Sequence, residues 1–105
     1  MALEKLTTKQ NNTLSFTITF ADSAGVAIDI TGATVVVKVY NGNTTIETET
    51  ITTHTTPLSG ITTCTFTNTE TAAWPVNVLG YEVQLTLAAG SVYSDDGVLE
   101  VIKDR

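Results

Sequence analysis

Residues 25–40, GVAIDITGATVVVKVY, decide how the rest of the chain must be arranged. Two turns, at Gly25 and at Thr31-Gly32, flank a short extended crossing. The segment then becomes a strand whose alternate residues share one face: Val35, Val37 and Val39. One alternating strand precedes this segment and several follow it, so we expect a β domain in which the later strands pack around it.

Composition supports this expectation. The chain has 105 residues, enough for one domain with a single core. It is 42% hydrophobic and 15% charged, which is typical of a globular protein with few charges. Threonine is the commonest residue, and valine and isoleucine are frequent. Because these β-branched residues fit a pleated surface better than a helix, the composition predicts an all-β fold.

Residues 14–20 alternate apolar and polar without exception, which predicts a half-buried strand. Its core-facing residues would be Leu14, Phe16, Ile18 and Phe20. Asn41-Gly42 is a strong hairpin signal, so residues 44–53 should return antiparallel to the organising strand. Glu47 and Glu49 interrupt that return strand, which indicates an edge position.

The second half of the chain continues the series. Residues 61–67 and 81–87 read as strands, and Ala89-Gly90 should turn the chain into a short strand over residues 91–94. Asp95-Asp96-Gly97 has the composition of a turn before a closing strand over residues 98–103. Between them, residues 68–74 predict one short helical turn with Asn68 as a candidate N-cap, Trp74 plugging an end of the core and Pro75 stopping the turn.

Seven or so short strands separated by turns predict an immunoglobulin-like antiparallel β-sandwich over residues 13–105. Residues 1–12 are polar and are expected to form a flexible or docking N-terminal arm. True immunoglobulin domains carry a Cys-Trp-Cys signature, and this chain contains one cysteine, so only the architecture is predicted.

The chain offers little material for catalysis. His54 is its only histidine and is expected to be an exposed, inert loop residue, since no nucleophile motif surrounds it. Cys64 is expected to be a small buried hydrophobe, because no cationic residue lies near it in the sequence. One His and one Cys do not make a zinc site, and Asp95-Asp96-Gly97 fits no EF-hand spacing. We therefore predict a protein that is not an enzyme and holds no metal or cofactor.

The charge and hydropathy of the chain argue against two classes of partner, nucleic acids and membranes. The net charge of -6 and the pI near 4.4 argue against nucleic acid, which requires clustered Lys and Arg. No apolar run approaches the ~20 residues of a membrane-spanning helix, so no membrane association is predicted. The first ten residues show no apolar signal-peptide region.

Residues 25–35, GVAIDITGATV, resemble the "G-x-x-[IVL]-D-[IL]-T-G-A-x-[VI]" core of small phage tail and baseplate domains. The family we name is the N-terminal domain of the phage baseplate upper protein. Three further segments agree with it in order and spacing: GITTCTFT at 60–67 with Thr71 and Trp74, GYEVQL at 80–85, and GVLEV at 97–101. Together they cover roughly residues 13–103.

This resemblance implies a structural piece of a phage or prophage particle, part of its tail or baseplate, that holds no cofactor. Its partners would be other virion proteins and copies of itself, as a trimer or hexamer around a symmetry axis, and its location would be the virion. The N-terminal arm and an exposed strand edge would dock onto neighbours. Two alternatives stay open: a capsid decoration or head-fibre base protein, and a carbohydrate- or host-surface-binding module with an exposed aromatic platform.

Overall fold

The computed structural model describes residues 3–103, and the all-β prediction is confirmed. The strands are β1 Leu6–Lys9, β2 Leu14–Thr19, β3 Thr34–Asn41, β4 Thr44–Ile51, β5 Ile61–Phe66, β6 Val78–Thr86 and β7 Val92–Ile102. One helix, α1 Asn68–Ala72, and one 3-10 turn, Pro57–Ser59, accompany them. A five-stranded sheet has the order β1-β7-β6-β3-β4, and β2 pairs with β5 in a second sheet.

The organising strand β3 is flanked by β4 and β6, both antiparallel to it. Its inward residues Val35, Val37 and Val39 are completely buried, as the alternation predicted. The two sheets share one core, to which β2 and β5 contribute Leu14, Ile18, Cys64 and Phe66. Phe20, just after β2, is also buried, and Phe16 packs at the margin of the core. The immunoglobulin-like form of this two-sheet arrangement stays a prediction.

Local polar contacts hold the turns that flank the extended crossing. Asp22 Oδ1 accepts the N–H groups of Ala24 and Val26 at 2.9 and 3.0 Å. Asp29 Oδ1 accepts both the N–H and the hydroxyl of Thr31 in the same way, at 2.9 and 2.6 Å. These side chains replace the backbone partners that a turn leaves unpaired, which is the usual role of Asp in turns.

The crossing packs tightly against the loop before β5. Gly60 ends the 3-10 turn with a φ of 72°, and a Cβ placed on it would lie 2.5 Å from the carbonyl oxygen of Phe20 and 2.8 Å from that of Ile28. Gly60 O also accepts the N–H of Phe20 at 2.8 Å. Both the left-handed backbone and the close approach therefore require glycine here.

The β3–β4 hairpin forms where it was predicted, but its turn is displaced by one residue. Asn41 pairs with Thr44, so the two turn residues are Gly42 and Asn43, with a φ of 63° at Gly42. Glycine at the first of two turn positions is typical of a type II′ turn, whereas Asn-Gly at both positions would have given type I′.

The edge position of β4 is confirmed, and its two glutamates occupy the inward phase of the strand. Glu47 pairs with Val39 and Glu49 with Val37, both of which face the core. Inward-pointing charges prevent an edge strand from accepting another strand on its free side.

The sequence predicted a turn at residues 95–97 between two separate strands, 91–94 and 98–103, and both parts of this prediction were wrong. Asp95-Asp96-Gly97 does not form a turn, because β7 continues through it and every residue from Val92 to Glu100 pairs with β6. Gly97 lies opposite Tyr81, and a Cβ on Gly97 would overlap the Tyr81 ring. The glycine therefore makes space for a buried aromatic ring instead of turning the chain.

The prediction of a flexible or docking arm over residues 1–12 was wrong for the residues that the structure describes. Residues 6–9 form β1, which pairs in parallel with β7, so the larger sheet is mixed and not purely antiparallel. The Tyr81 hydroxyl donates to the carbonyl oxygen of Glu4, and Gln10 Nε2 donates to that of Trp74 at 2.7 Å. These contacts integrate residues 4–12 into the domain. Residues 1 and 2 lie outside the described part of the chain, as do 104 and 105.

The short helix after β5 is confirmed, with a different N-cap. Thr67, not Asn68, begins it through a capping box: the Glu70 N–H donates to Thr67 Oγ1, and the Glu70 carboxylate accepts the Thr67 N–H. Thr71 is fully buried, and its hydroxyl donates to the carbonyl oxygen of Asn12 at 2.8 Å. Trp74 is buried and packs edge-on against Phe66, which confirms its expected place at the end of the core.

Candidate functional site

His54 has a structural role that its sequence context did not indicate. Its Nε2 donates to the carbonyl oxygen of Ala33 at 2.7 Å. With the proton on Nε2, Nδ1 accepts from the hydroxyl of the fully buried Thr62 at 2.9 Å. The expectation of an exposed loop histidine was therefore wrong: the ring is half-buried and ties the start of β3 to β5. Both of its nitrogens are occupied by these contacts.

Cys64 is buried in the core, as its sequence context predicted. Burial raises the pKa of its thiol to about 12, and the carboxylates of Glu49 and Glu70 act in the same direction. A thiol in this environment stays protonated at neutral pH, and the thiolate is the nucleophilic form. Cys64 therefore acts as a small apolar side chain that packs in the core.

Three carboxylates gather between β4 and α1. Burial, followed by the charge of Glu70, raises the pKa of both Glu47 and Glu49. The indole N–H of Trp74 lowers the pKa of Glu47, yet it completes no hydrogen bond of standard geometry within residues 3–103. These three carboxylates repel one another beside the edge strand β4, which destabilises the fold. The inward-pointing charges of Glu47 and Glu49 nevertheless protect the edge from pairing with another strand.

Asp95 and Asp96 do not converge on a common point. As consecutive residues of a strand they project from opposite faces of the sheet. Across residues 3–103, no three His, Cys, Asp or Glu side chains are arranged to hold a metal ion. Nor does any helix in that range have the length and hydropathy needed to span a membrane.

The outer face of the large sheet carries an unexpected group of exposed apolar side chains, which we call the outer apolar patch. Its members are Val78, Val98 and Ile102, exposed at 59%, 44% and 37%. Val78 pairs across the ladder with Glu100, and Glu100 lies between Val98 and Ile102 along β7. The three apolar side chains therefore lie around Glu100 on the same face.

Polar groups of both signs border this patch. Lys9 pairs with Ile102, and Thr7 pairs with Glu100. The Lys5 ammonium lies 3.4 Å from a Glu100 carboxylate oxygen, with both side chains partly exposed. Exposed apolar side chains with charged groups of both signs beside and among them are found at protein–protein interfaces.

The patch is indicated in the sequence by apolar residues in the outward phase of β6 and β7, whereas the strand predictions considered only the inward phase. Leu79, Tyr81, Leu99 and Val101 occupy the inward phase of β6 and β7 and are buried. Val78 and Val98 stand in the opposite phase, where a solvent-facing sheet normally carries polar residues. An apolar residue in the outward phase next to a complete inward set indicates a covered face.

The geometry thus assigns structural roles to His54 and Cys64, and it leaves the outer apolar patch uncovered. Comparison with known proteins adds no name to these features: no family model, no curated protein and no solved structure matches the chain.

Proposed function

We propose that this chain is a non-enzymatic structural protein of a phage or prophage particle, a tail or baseplate component that acts through protein–protein interfaces. It would be assembled in the bacterial host cytoplasm and work in the virion. The resemblance of four segments in order, from residues 25–35 to 97–101, suggests the particle. The outer apolar patch is the observation in the structure that supports an interface.

The first partner we propose is a second copy of the same chain, in a trimer or hexamer, with other virion proteins around it. The patch combines exposed valine and isoleucine side chains with Glu100 among them and Lys9 beside them, which offer both charges to an identical neighbour. A stable interface buries about 800 Å² on each partner. The three apolar side chains around Glu100 would form its centre, and the threonines and lysines of β1 and the preceding residues its rim.

The native mass of the purified chain tests this proposal. Light scattering on a size-exclusion column should give a trimer or hexamer at micromolar concentrations. Val78→Lys should dissociate it, because an ammonium group would enter the centre of the interface. The new side chain would face Glu100 across the ladder, so the fold should tolerate it.

Val92→Lys is the matched control, because Val92 is exposed at 54% on the outward phase of the same sheet, at the far end of β7. It should leave the mass unchanged. A clean monomer for the unaltered chain would refute self-assembly, and a capsid decoration or adaptor domain that orders on a preformed lattice would then be the better description. Equal dissociation by both lysine variants would show that the patch is not the contact.

The carbohydrate-binding alternative required an exposed aromatic platform. Trp74 cannot supply it, since it is 1% exposed in the core. Tyr93, at 48% exposure, is the remaining aromatic candidate, and its surroundings suggest a different ligand.

A further inference from the structure

A cleft of about 600 Å³ opens between the loop that follows β2 and the adjoining part of β6 and β7. Ala27 and Ile28 provide its accessible apolar surface, since Phe20 and Leu85, which also line it, are buried. Asp22, Tyr93 and Asp95 provide polar and aromatic groups. It lies on the core side of the large sheet and is separate from the outer apolar patch.

The residues of β7 that face this cleft break the pattern of their own strand. The inward phase of β7 carries Leu99 and Val101, both buried, where the second sheet covers it. In the same phase, Asp95 is half-buried and Tyr93 is 48% exposed. A tyrosine and an aspartate thus occupy inward positions where the core would otherwise be continued by apolar residues.

The two carboxylates of the cleft have oxygen atoms left for a ligand. Asp22 uses Oδ1 for its two backbone contacts, and Asp95 uses Oδ1 to accept the N–H of Asp96 at 2.9 Å. No lysine or arginine lines the cleft. The negative charge there is therefore not neutralised by the residues that form it.

We propose that this cleft binds a cationic side chain, arginine or lysine, presented by a partner protein. The apolar surface suits the methylene stem of such a side chain, which buries its stem and keeps its charged end in contact with polar groups. The ring of Tyr93 can take a cation on its face, and a carboxylate accepts charge-assisted hydrogen bonds from it. This inference rests on the proposed function, because it supplies the chemistry of a neighbour in the particle.

An NMR titration of the full isotope-labelled chain tests the cleft directly, with N-acetyl-arginine amide at low salt as the probe. Saturable shifts should appear in residues 20–28 and 93–95. N-acetyl-norleucine amide, which has an apolar side chain and no charge, should give much smaller ones. Tyr93→Ala should weaken binding about two- to fivefold, the range of an exposed cation–π contact.

Asp95→Asn should also weaken binding about two- to fivefold, as expected for an exposed ion pair. Asp96→Asn is the matched control, since it removes the same charge one residue away on the opposite face of the sheet, and it should change affinity less than about 1.5-fold. Equal weakening by both variants would overturn the proposal, because the effect would then come from net charge. The spectra of both variants also report whether the fold is intact.

Absence of saturable shifts with the arginine probe would also overturn it. Shifts in the same residues with a neutral sugar such as maltose, and none with arginine amide, would show that the cleft binds a carbohydrate and not a cationic side chain. None of these results depends on the native mass, so the cleft can fail while the self-assembly proposal stands, and the reverse.

Discussion

Replacement of Gly97 by alanine should destabilise the fold through one contact, the overlap between a new Cβ and the ring of Tyr81. Tyr81 is 2% exposed, and its hydroxyl donates to the carbonyl oxygen of Glu4. Phe16 packs edge-on against the ring, with ring centroids 5.9 Å apart, and so restricts how far the ring can move. The alanine methyl group can be accommodated only if the ring shifts and the hydrogen bond to Glu4 lengthens or breaks.

The expected cost follows from these contacts. Overpacking a filled core costs about 1–3 kcal/mol. Loss of the tyrosine hydrogen bond adds about 1 kcal/mol. Alanine restricts the unfolded chain more than glycine does, which returns about 0.5–1 kcal/mol. We expect Gly97→Ala to lower the free energy of unfolding by about 1–3.5 kcal/mol.

Urea unfolding followed by the fluorescence of Trp74, the single tryptophan, measures this quantity. Gly80→Ala is the matched control on the neighbouring strand, because a Cβ there would meet its nearest atom at 3.8 Å, an ordinary contact. It should be neutral or slightly stabilising. The decisive test is a double-mutant cycle: in a Tyr81→Ala background, Gly97→Ala should cost nothing. A cost that persists without the ring would refute the steric explanation.

Three further substitutions test other contacts. Burial and the charge of Glu70 raise the pKa of Glu47 above its ordinary value of 4.5. The stability linked to the Glu47 proton is therefore fully present below pH 4.5 and is lost as the pH rises through the raised pKa. Because glutamine resembles the protonated side chain, Glu47→Gln should increase the free energy of unfolding at pH 7 and change it little at pH 3. If Glu47→Gln changed the free energy of unfolding equally at pH 7 and pH 3, this explanation would be contradicted. His54→Ala should cost about 1–3 kcal/mol because it leaves the buried hydroxyl of Thr62 without a partner, and the cost should shrink in a Thr62→Val background, as urea titrations of the four chains would show. Gly60→Ala should cost more than Gly42→Ala in thermal unfolding, because both have positive φ but only Gly60 is crowded by backbone oxygens; similar costs would mean that backbone conformation alone decides.

The strands that alternate cleanly were predictable because one face of each is buried. Leu14 to Phe20, Val35 to Val39 and Tyr81 to Leu85 place their apolar residues inward as expected. The edge position of β4 followed from its glutamates, and the burial of Trp74 from its place before Pro75. In each case local chemistry and tertiary packing agree, so the sequence pattern was sufficient.

The errors arose where a distant partner decides the local structure. Residues 6–9 have no alternation of their own, and their strand exists because β7 offers a free edge to them. Asp95-Asp96-Gly97 has turn composition, yet pairing with β6 and the ring of Tyr81 keep it extended. His54 looked isolated because Ala33 lies 21 residues away in the chain. Sequence spacing contains no direct record of such contacts.

The same limit applied to the surfaces proposed for function. The outer apolar patch draws on Val78 at one end of β6 and on Val98 and Ile102 near the end of β7, which only the antiparallel register brings together. The cleft combines the loop after β2 with the beginning of β7. The individual residues are visible in the sequence, but their grouping depends on the order of strands in the sheet.

The parallel pairing of β1 with β7 has a mechanical consequence. The chain enters β1 at one end of this ladder and leaves β7 at the other, with Leu6 beside Leu99 and Lys9 beside Ile102. Tension that draws residues 3 and 103 apart therefore pulls the two strands along their length in opposite directions. The hydrogen bonds between them are loaded together in shear, and they cannot open one at a time as in an unzipped hairpin. A domain with this connection should resist a force that pulls residues 3 and 103 apart more strongly than one whose terminal strands form a hairpin.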